Sequence, residues 1–117
     1  MTPLILLFVA FLQAAQPPAA APAGNVEAGK RLYDKHTCYF CHGTAGQGGV
    51  AGARVAGVAR NAQGFIRYVR RPPGSMPAYS EQMLSDQELT DILVYLRSLP
   101  PAKAVNDIPL LNQLRGK

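Results

Sequence analysis

Cys38-Tyr39-Phe40-Cys41-His42 is a C-x-x-C-H run, and few five-residue stretches restrict the chemistry of a chain so tightly. Three residues apart on a helical turn, Cys38 and Cys41 share one face, with β-carbons about 5–6 Å apart. At that separation two thiols can each reach one vinyl group of a single porphyrin and form thioethers. The neutral imidazole of His42 then projects from the same backbone toward the ring centre. The pattern points to one haem c, attached covalently through Cys38 and Cys41, with His42 as a ligand to its iron.

Three other chemistries use part of the same run. A thioredoxin-like dithiol also needs C-x-x-C but sits in a βαβ context, and no strand-like run flanks this one. A structural zinc site needs four ligands. Beside the two cysteines and His42, His36 is the remaining nitrogen ligand, so that shell would be barely complete. A disulfide between Cys38 and Cys41 suits an exported chain but would close a very small loop.

The 117 residues bound the answer to one small domain. Residues 1–15 read as an export signal: residues 4–12 are a continuous apolar stretch, too short to span a bilayer as a helix, followed by Ala14 and Ala15. No Lys or Arg precedes the stretch. The competing reading is an apolar segment that is retained. Residues 16–24 are an uncharged Ala/Pro spacer. Residues 25–101 carry the folded domain and residues 102–117 a tail. A core of fewer than about 100 residues has limited stability of its own, and there is no Trp. A large flat apolar cofactor at the centre would supply the missing packing.

Asn25 caps a first helix running from Val26 to about His36, with Glu27 favourably placed in its first turn. Gly29, Leu32 and Tyr33 share one face, and a helical Gly costs about 1 kcal/mol relative to Ala, which suits a close helix crossing. Lys30, Arg31 and Lys35 fall on the outer faces. Residues 43–57, rich in Gly and Ala, form a loop. This loop has to present a backbone carbonyl to the free ring nitrogen of His42. Val55 is its ring-packing side chain, and Arg54 and Arg60 are candidates to pair with haem propionates. A second helix follows over residues 61–71, with Asn61 as cap, Phe65, Tyr68 and Val69 inward, and Arg67, Arg70 and Arg71 outward. Pro72 and Pro73 stop it.

Met76 precedes Pro77, so its backbone is pushed out of the helical region and its thioether is presented from an extended, Pro-stiffened loop. A soft neutral sulfur opposite a histidine raises the potential of a haem iron, and Met76 is the expected second axial ligand. Met83 is the alternative ligand, but just before a helix and beside Leu84 it reads as a packing residue. Tyr79 and Phe65 join Val55 as expected neighbours of the ring. Ser85-Asp86-Gln87-Glu88 is a capping box. The helix it opens repeats Leu89, Ile92, Leu93, Leu96 and Leu99 at the 3.6-residue period, and Pro100-Pro101 ends it. In the tail, Ile108, Leu110, Leu111 and Leu114 show no clear period.

In this order the features resemble the small soluble class I (monohaem) cytochromes c of bacteria, over about residues 25–101. The resemblance implies an all-α fold, three or more short helices wrapped around one covalently attached haem. The N- and C-terminal helices would cross at a small residue packed on an aromatic, with Gly29, Tyr33, Ile92 and Tyr95 in the matching places. The family commonly has a Gly-Pro pair after the motif, the proline carbonyl accepting a hydrogen bond from the histidine. Gly52-Ala53 stands there in this chain, keeping the carbonyl but losing stiffness.

The implied function is an exported, periplasmic one-electron carrier serving respiratory or dehydrogenase electron transfer. With both axial positions filled it is not an enzyme. The alternatives are a haem enzyme or a gas- or peroxide-binding sensor with a labile Met76, and a haem-free exported dithiol oxidoreductase. Charge narrows the partners. The net charge is +5, and residues 25–71 carry eight Lys/Arg against two Asp/Glu; two ionised propionates would lower the total to about +3. The basic half contains the attachment motif. This suits redox partners with acidic docking patches, or peripheral contact with an anionic membrane. No nucleic-acid reading motif accompanies the charge. The chain would act as a monomer or as a subunit of a larger oxidoreductase.

Overall fold

The computed structural model describes residues 23–115; the expected export signal and residues 16–22 of the spacer lie outside the described residues. Asn25 takes extended backbone and accepts from the Ala28 amide at 2.8 Å, which opens α1 (Val26–Lys35). Two residues past its end, Thr37 takes a left-handed conformation (φ 55°). That costs a β-branched residue about 1–3 kcal/mol and turns the chain sharply into α2 (Cys38–His42). A Gly-rich loop leads to α3 (Ala62–Arg70), capped by the Asn61 side chain on the Gly64 amide. A Pro-rich loop then leads to α4 (Asp86–Ser98).

The Ser85 cap of α4 is reciprocal. Its hydroxyl accepts from the Glu88 amide, and the Glu88 carboxylate accepts from the Ser85 amide at 2.8 Å. The helix buries Leu89, Ile92, Leu93, Tyr95 and Leu96, and these join Tyr33, Phe65, Val69 and Leu84 in one core. At about 1.5–3 kcal/mol for each large aliphatic side chain buried, α4 is the main packing element. Both α1 and α3 pack on it. No strand occurs among the described residues, and the expected all-α fold is what the chain adopts. Among the described residues no helix is long and apolar enough to cross a membrane.

The α1–α4 crossing is a backbone contact. A β-carbon on Gly29 would overlap the Asp91 carbonyl and lie 2.8 Å from Tyr95 Cβ. The Tyr33 and Tyr95 rings meet beside it, centroids 5.5 Å apart. Asp91 also accepts from the Asn25 amide at 2.8 Å, tying the start of α1 to the same point.

Three expectations need correction or completion. Met83 is not a packing residue: it is 54% exposed, and Leu84 takes the buried place at 1%. Arg70 does not point outward with Arg67 and Arg71, because its guanidinium is drawn in by Asp86 and two carbonyls. The tail forms a 3-10 turn (Val105–Asp107) and α5 (Pro109–Arg115), and α5 contacts that turn alone among the described elements. Its Leu110, Leu111 and Leu114 face outward.

Gly29→Ala tests the crossing. The roughly 1 kcal/mol of helix propensity that Ala gains is outweighed by overpacking, because the obstructing atoms are backbone. We expect a net loss of ~2 kcal/mol in urea unfolding. The cap has a pH signature. Its hydrogen bonds to Ser85 hold the Glu88 carboxyl below its ordinary value of 4.5. The stabilisation is therefore complete above that value and is lost as pH falls through the folded-state value. Glu88→Gln is expected to flatten the acid limb of a stability–pH curve.

Candidate functional site

α2 is a single turn, and the groups around it are anchored one by one. Tyr33, itself 1% exposed, donates its hydroxyl to the Gly43 carbonyl at 2.8 Å, fixing the end of the turn. Gly43 donates its amide to the Tyr39 carbonyl, the last helical bond, and its positive φ (81°) then turns the chain out of the helix. The loop then winds back on His42: the Gly48 amide donates to the His42 carbonyl at 2.7 Å, and the Gly46 carbonyl accepts from both Val55 and Ala56. Gly52 passes so close to α2 that a β-carbon there would lie 2.7 Å from the Cys41 carbonyl oxygen.

That close passage brings the Ala53 carbonyl within 2.7 Å of His42 Nδ1. A carbonyl can only accept, so Nδ1 carries the hydrogen, and in the neutral imidazole Nε2 then keeps its lone pair. This leaves Nε2 available as a metal ligand, and the hydrogen bond adds to its basicity. The carbonyl expected from the Gly52-Ala53 pair is thus in place without the proline.

An apolar-lined cleft of about 200 Å³ opens in front of α2. Tyr33, Val58, Phe65, Val69, Leu84, Leu89, Ile92 and Leu96 line its inner part, and Val55, Arg54 and Arg60 its edge. A second, more polar space of about 510 Å³ adjoins it, lined by Phe40, Cys41, Gly52 and the loop from Pro73 to Pro77. Cys38, His42, Ala53, Tyr68, Met76 and Tyr79 border both, so the two spaces are lobes of one opening. A flat, largely apolar group with polar edges fits this shape, with both cysteines at its border, the free His42 Nε2 and the Met76 thioether beside it. These residues fit a haem.

The structure therefore gathers Cys38, Cys41, His42, Met76, Val55, Arg54, Phe65 and Tyr79 around one opening. Arg54 spends one nitrogen on the Pro100 carbonyl at 2.8 Å. Arg60 lies over the Tyr68 ring, 4.6 Å from its centroid. Two contacts had no sequence signal. Tyr79 donates its hydroxyl to the His36 carbonyl at 3.3 Å and meets the His36 ring edge-on. Arg70 reaches the same segment from α3. Phe40 stands 82% exposed between the two cysteines.

The rival chemistries fit less well. Burial pushes the Cys38 thiol up to about 11, with the neighbouring Asp34 and Cys41 charges adding. A dithiol nucleophile needs a shift in the other direction. Among the described residues no group of three or more His, Cys, Asp or Glu side chains converges as a metal site would require, so His36 completes no zinc shell.

The crossing of α1 on α4 and the C-x-x-C-H turn facing an apolar cleft define a small monohaem class I cytochrome c domain. Residues 24–96 match the sequence model of the family described as Cytochrome C oxidase, cbb3-type, subunit III, and the chain belongs to that family of c-type cytochrome domains. Comparison with curated proteins and with solved structures returns no match. Membership carries haem c and electron transfer with it.

Gly52→Ala is expected to push the loop away from Cys41 and stretch the His42–Ala53 hydrogen bond, at about 1–3 kcal/mol by urea unfolding. Ala53→Pro keeps the carbonyl and is expected to hold or raise the midpoint. Equal midpoints for Gly52→Ala and the parent would remove the close passage as the reason for a glycine there.

Proposed function

We propose that this protein is an exported one-electron carrier holding a single haem c through thioethers to Cys38 and Cys41, with His42 and Met76 as its axial ligands. The observation that carries this reading is the opening that Cys38, His42 and Met76 border together, with His42 Nδ1 committed to the Ala53 carbonyl at 2.7 Å. When bound, the haem supplies an iron that cycles between ferrous and ferric states.

The chain's own residues do the rest. His42 is held in one tautomer and one orientation by Ala53, so its nitrogen needs no rearrangement on a change of charge nearby. Met76 offers a neutral, soft sulfur, which favours the reduced state. The inner apolar wall, from Val58 to Leu96, keeps water away and limits reorganisation. With both axial positions taken there is no open site for substrate, so the role is transfer and not catalysis. Arg54 and Arg60, at the cleft edge, are placed to neutralise propionates.

The periplasm is the compartment that suits an export signal and thioether attachment. Partners follow from charge: the basic half of the chain, residues 25–71, carries the attachment turn and suits acidic patches on a redox protein or an anionic membrane surface. The family description names an oxidase subunit, and an oxidase or dehydrogenase is the kind of assembly such a carrier would serve.

Two measurements test the reading. Haem that stays with the polypeptide through denaturing electrophoresis, and is lost from Cys38→Ala/Cys41→Ala, is the expected result for thioether attachment. Met76→Ala is expected to abolish the weak sulfur-to-iron charge-transfer band of the oxidised protein and lower its reduction potential; an unchanged spectrum rejects Met76 as ligand. For docking, reversing Lys30, Arg31 and Lys35 to Glu is expected to slow electron transfer to an acidic partner and flatten its salt dependence. Equal rates at low salt would remove the steering role.

A further inference from the structure

Three arginines stand close together at the end of α3, and one of them is unlike its neighbours. Arg67 and Arg71 are exposed, whereas the Arg70 side chain is only 19% accessible. Its Nη1 donates to the Tyr79 carbonyl at 3.0 Å and to the Ser80 carbonyl at 3.1 Å. Its Nη2 donates to Asp86 Oδ1 at 2.6 Å. The guanidinium fork thus joins three pieces of chain: the last turn of α3, the segment just after Met76, and the first residue of α4. A backbone bond reinforces the junction, the Tyr79 amide donating to the Val69 carbonyl at 3.2 Å.

The consequence lies in the loop between these ties. The chain leaves α3 at Arg71 and is brought back to the same turn of α3 at Tyr79, so residues 71–78 form a loop closed at its base. Met76 lies within it, between Gly74 (φ 74°) and Pro77. Among the described residues no backbone hydrogen bond ties residues 72–78 elsewhere. Proline limits the loop's internal freedom, but its position against the cleft depends on its base.

We infer that Arg70 is a positioning residue for Met76: by clasping the Tyr79 and Ser80 carbonyls, with Asp86 orienting its fork, it holds the loop against the cleft and governs how often the Met76 thioether leaves the iron. This rests on the reading of Met76 as axial ligand. Arg is required for the geometry, since a planar fork can serve two carbonyls on one nitrogen and a carboxylate on the other, whereas a lysine ammonium is a single point of charge. Asp86 sits at the α4 N-terminus, where its negative charge is favourable in any case, so the clasp uses a carboxylate already suited to its place.

The test uses the haem-loaded ferric protein and imidazole as an external ligand that competes for the position of Met76. Displacement requires the loop to open, so its rate reads loop opening. For Arg70→Ala we expect imidazole to displace the sulfur about tenfold faster or more, as the loss of charged hydrogen bonds of this kind implies. Arg70→Lys should fall between Arg70→Ala and the parent, and Asp86→Asn should show a smaller gain. Hydrogen exchange at the Tyr79 amide, which needs no axial-ligand signal, should speed up in the same order.

Asn25→Ala, which removes the cap of α1 without touching the clasp, is the control for general destabilisation. An imidazole rate in Arg70→Ala equal to the parent's, or no greater than that of Asn25→Ala, overturns the proposal. If Arg70→Ala does not fold, Arg70→Lys and Asp86→Asn are judged by the same criterion. A parent spectrum that Met76→Ala leaves unchanged would instead reject the axial-ligand reading on which the proposal stands, so the two failures are told apart.

Discussion

Everything in this fold is referred to the place where α1 meets α4 without a side chain between them. Gly29 lets the two backbones approach until the Asp91 carbonyl fills the space a β-carbon would take. Because α1 runs through the Thr37 corner into the Cys38–His42 turn, that approach also sets how far the turn stands from the wall formed by Leu89, Ile92 and Leu96 on α4. A wider crossing would open the cleft from the inside. The left-handed Thr37 is a cost borne at the same corner, and it persists because the structure on both sides holds it.

The two proposed ligands are supported by different means toward a common end. His42 comes from a helical turn and is fixed by a loop that glycine allows to pass close to it, through Gly52 and the Ala53 carbonyl. Met76 comes from a loop that proline stiffens and that is tied at its base to α3. In both, a main-chain carbonyl is the point of purchase: it accepts from His42 in one and from Arg70 in the other. A carrier gains from such restraint, because any movement of the ligands between oxidation states slows transfer. The aromatic contacts around the opening, Tyr33 to Gly43 and Tyr79 to His36, serve that end as well.

Much of this was legible in the residues themselves. The helix starts at Asn25, Asn61 and Ser85 follow from short-range capping chemistry, which depends only on neighbours within three positions. The apolar period of α4 and the stops at Pro72 and Pro100 are equally local. Met83 was misread because its neighbour Leu84 is apolar and local pattern does not say which of two adjacent apolar residues turns inward. Arg70 was misread because Asp86, its partner, is sixteen residues away, and nothing within the arginine cluster distinguishes one member from the others.

What the linear order of residues decided is the chemistry: two thiols and an imidazole at fixed spacing, a thioether in a proline frame, and the helices that periodicity and caps dictate. Those are properties of neighbours, and neighbours are known once the chain is written. Which carbonyl meets His42, which arginine is pulled inward and how near two helices come are contacts between distant segments. They were decided only when burial of the α4 face brought those segments together, since hydrogen bonds and close packing act over a few ångströms and carry no record of separation along the chain.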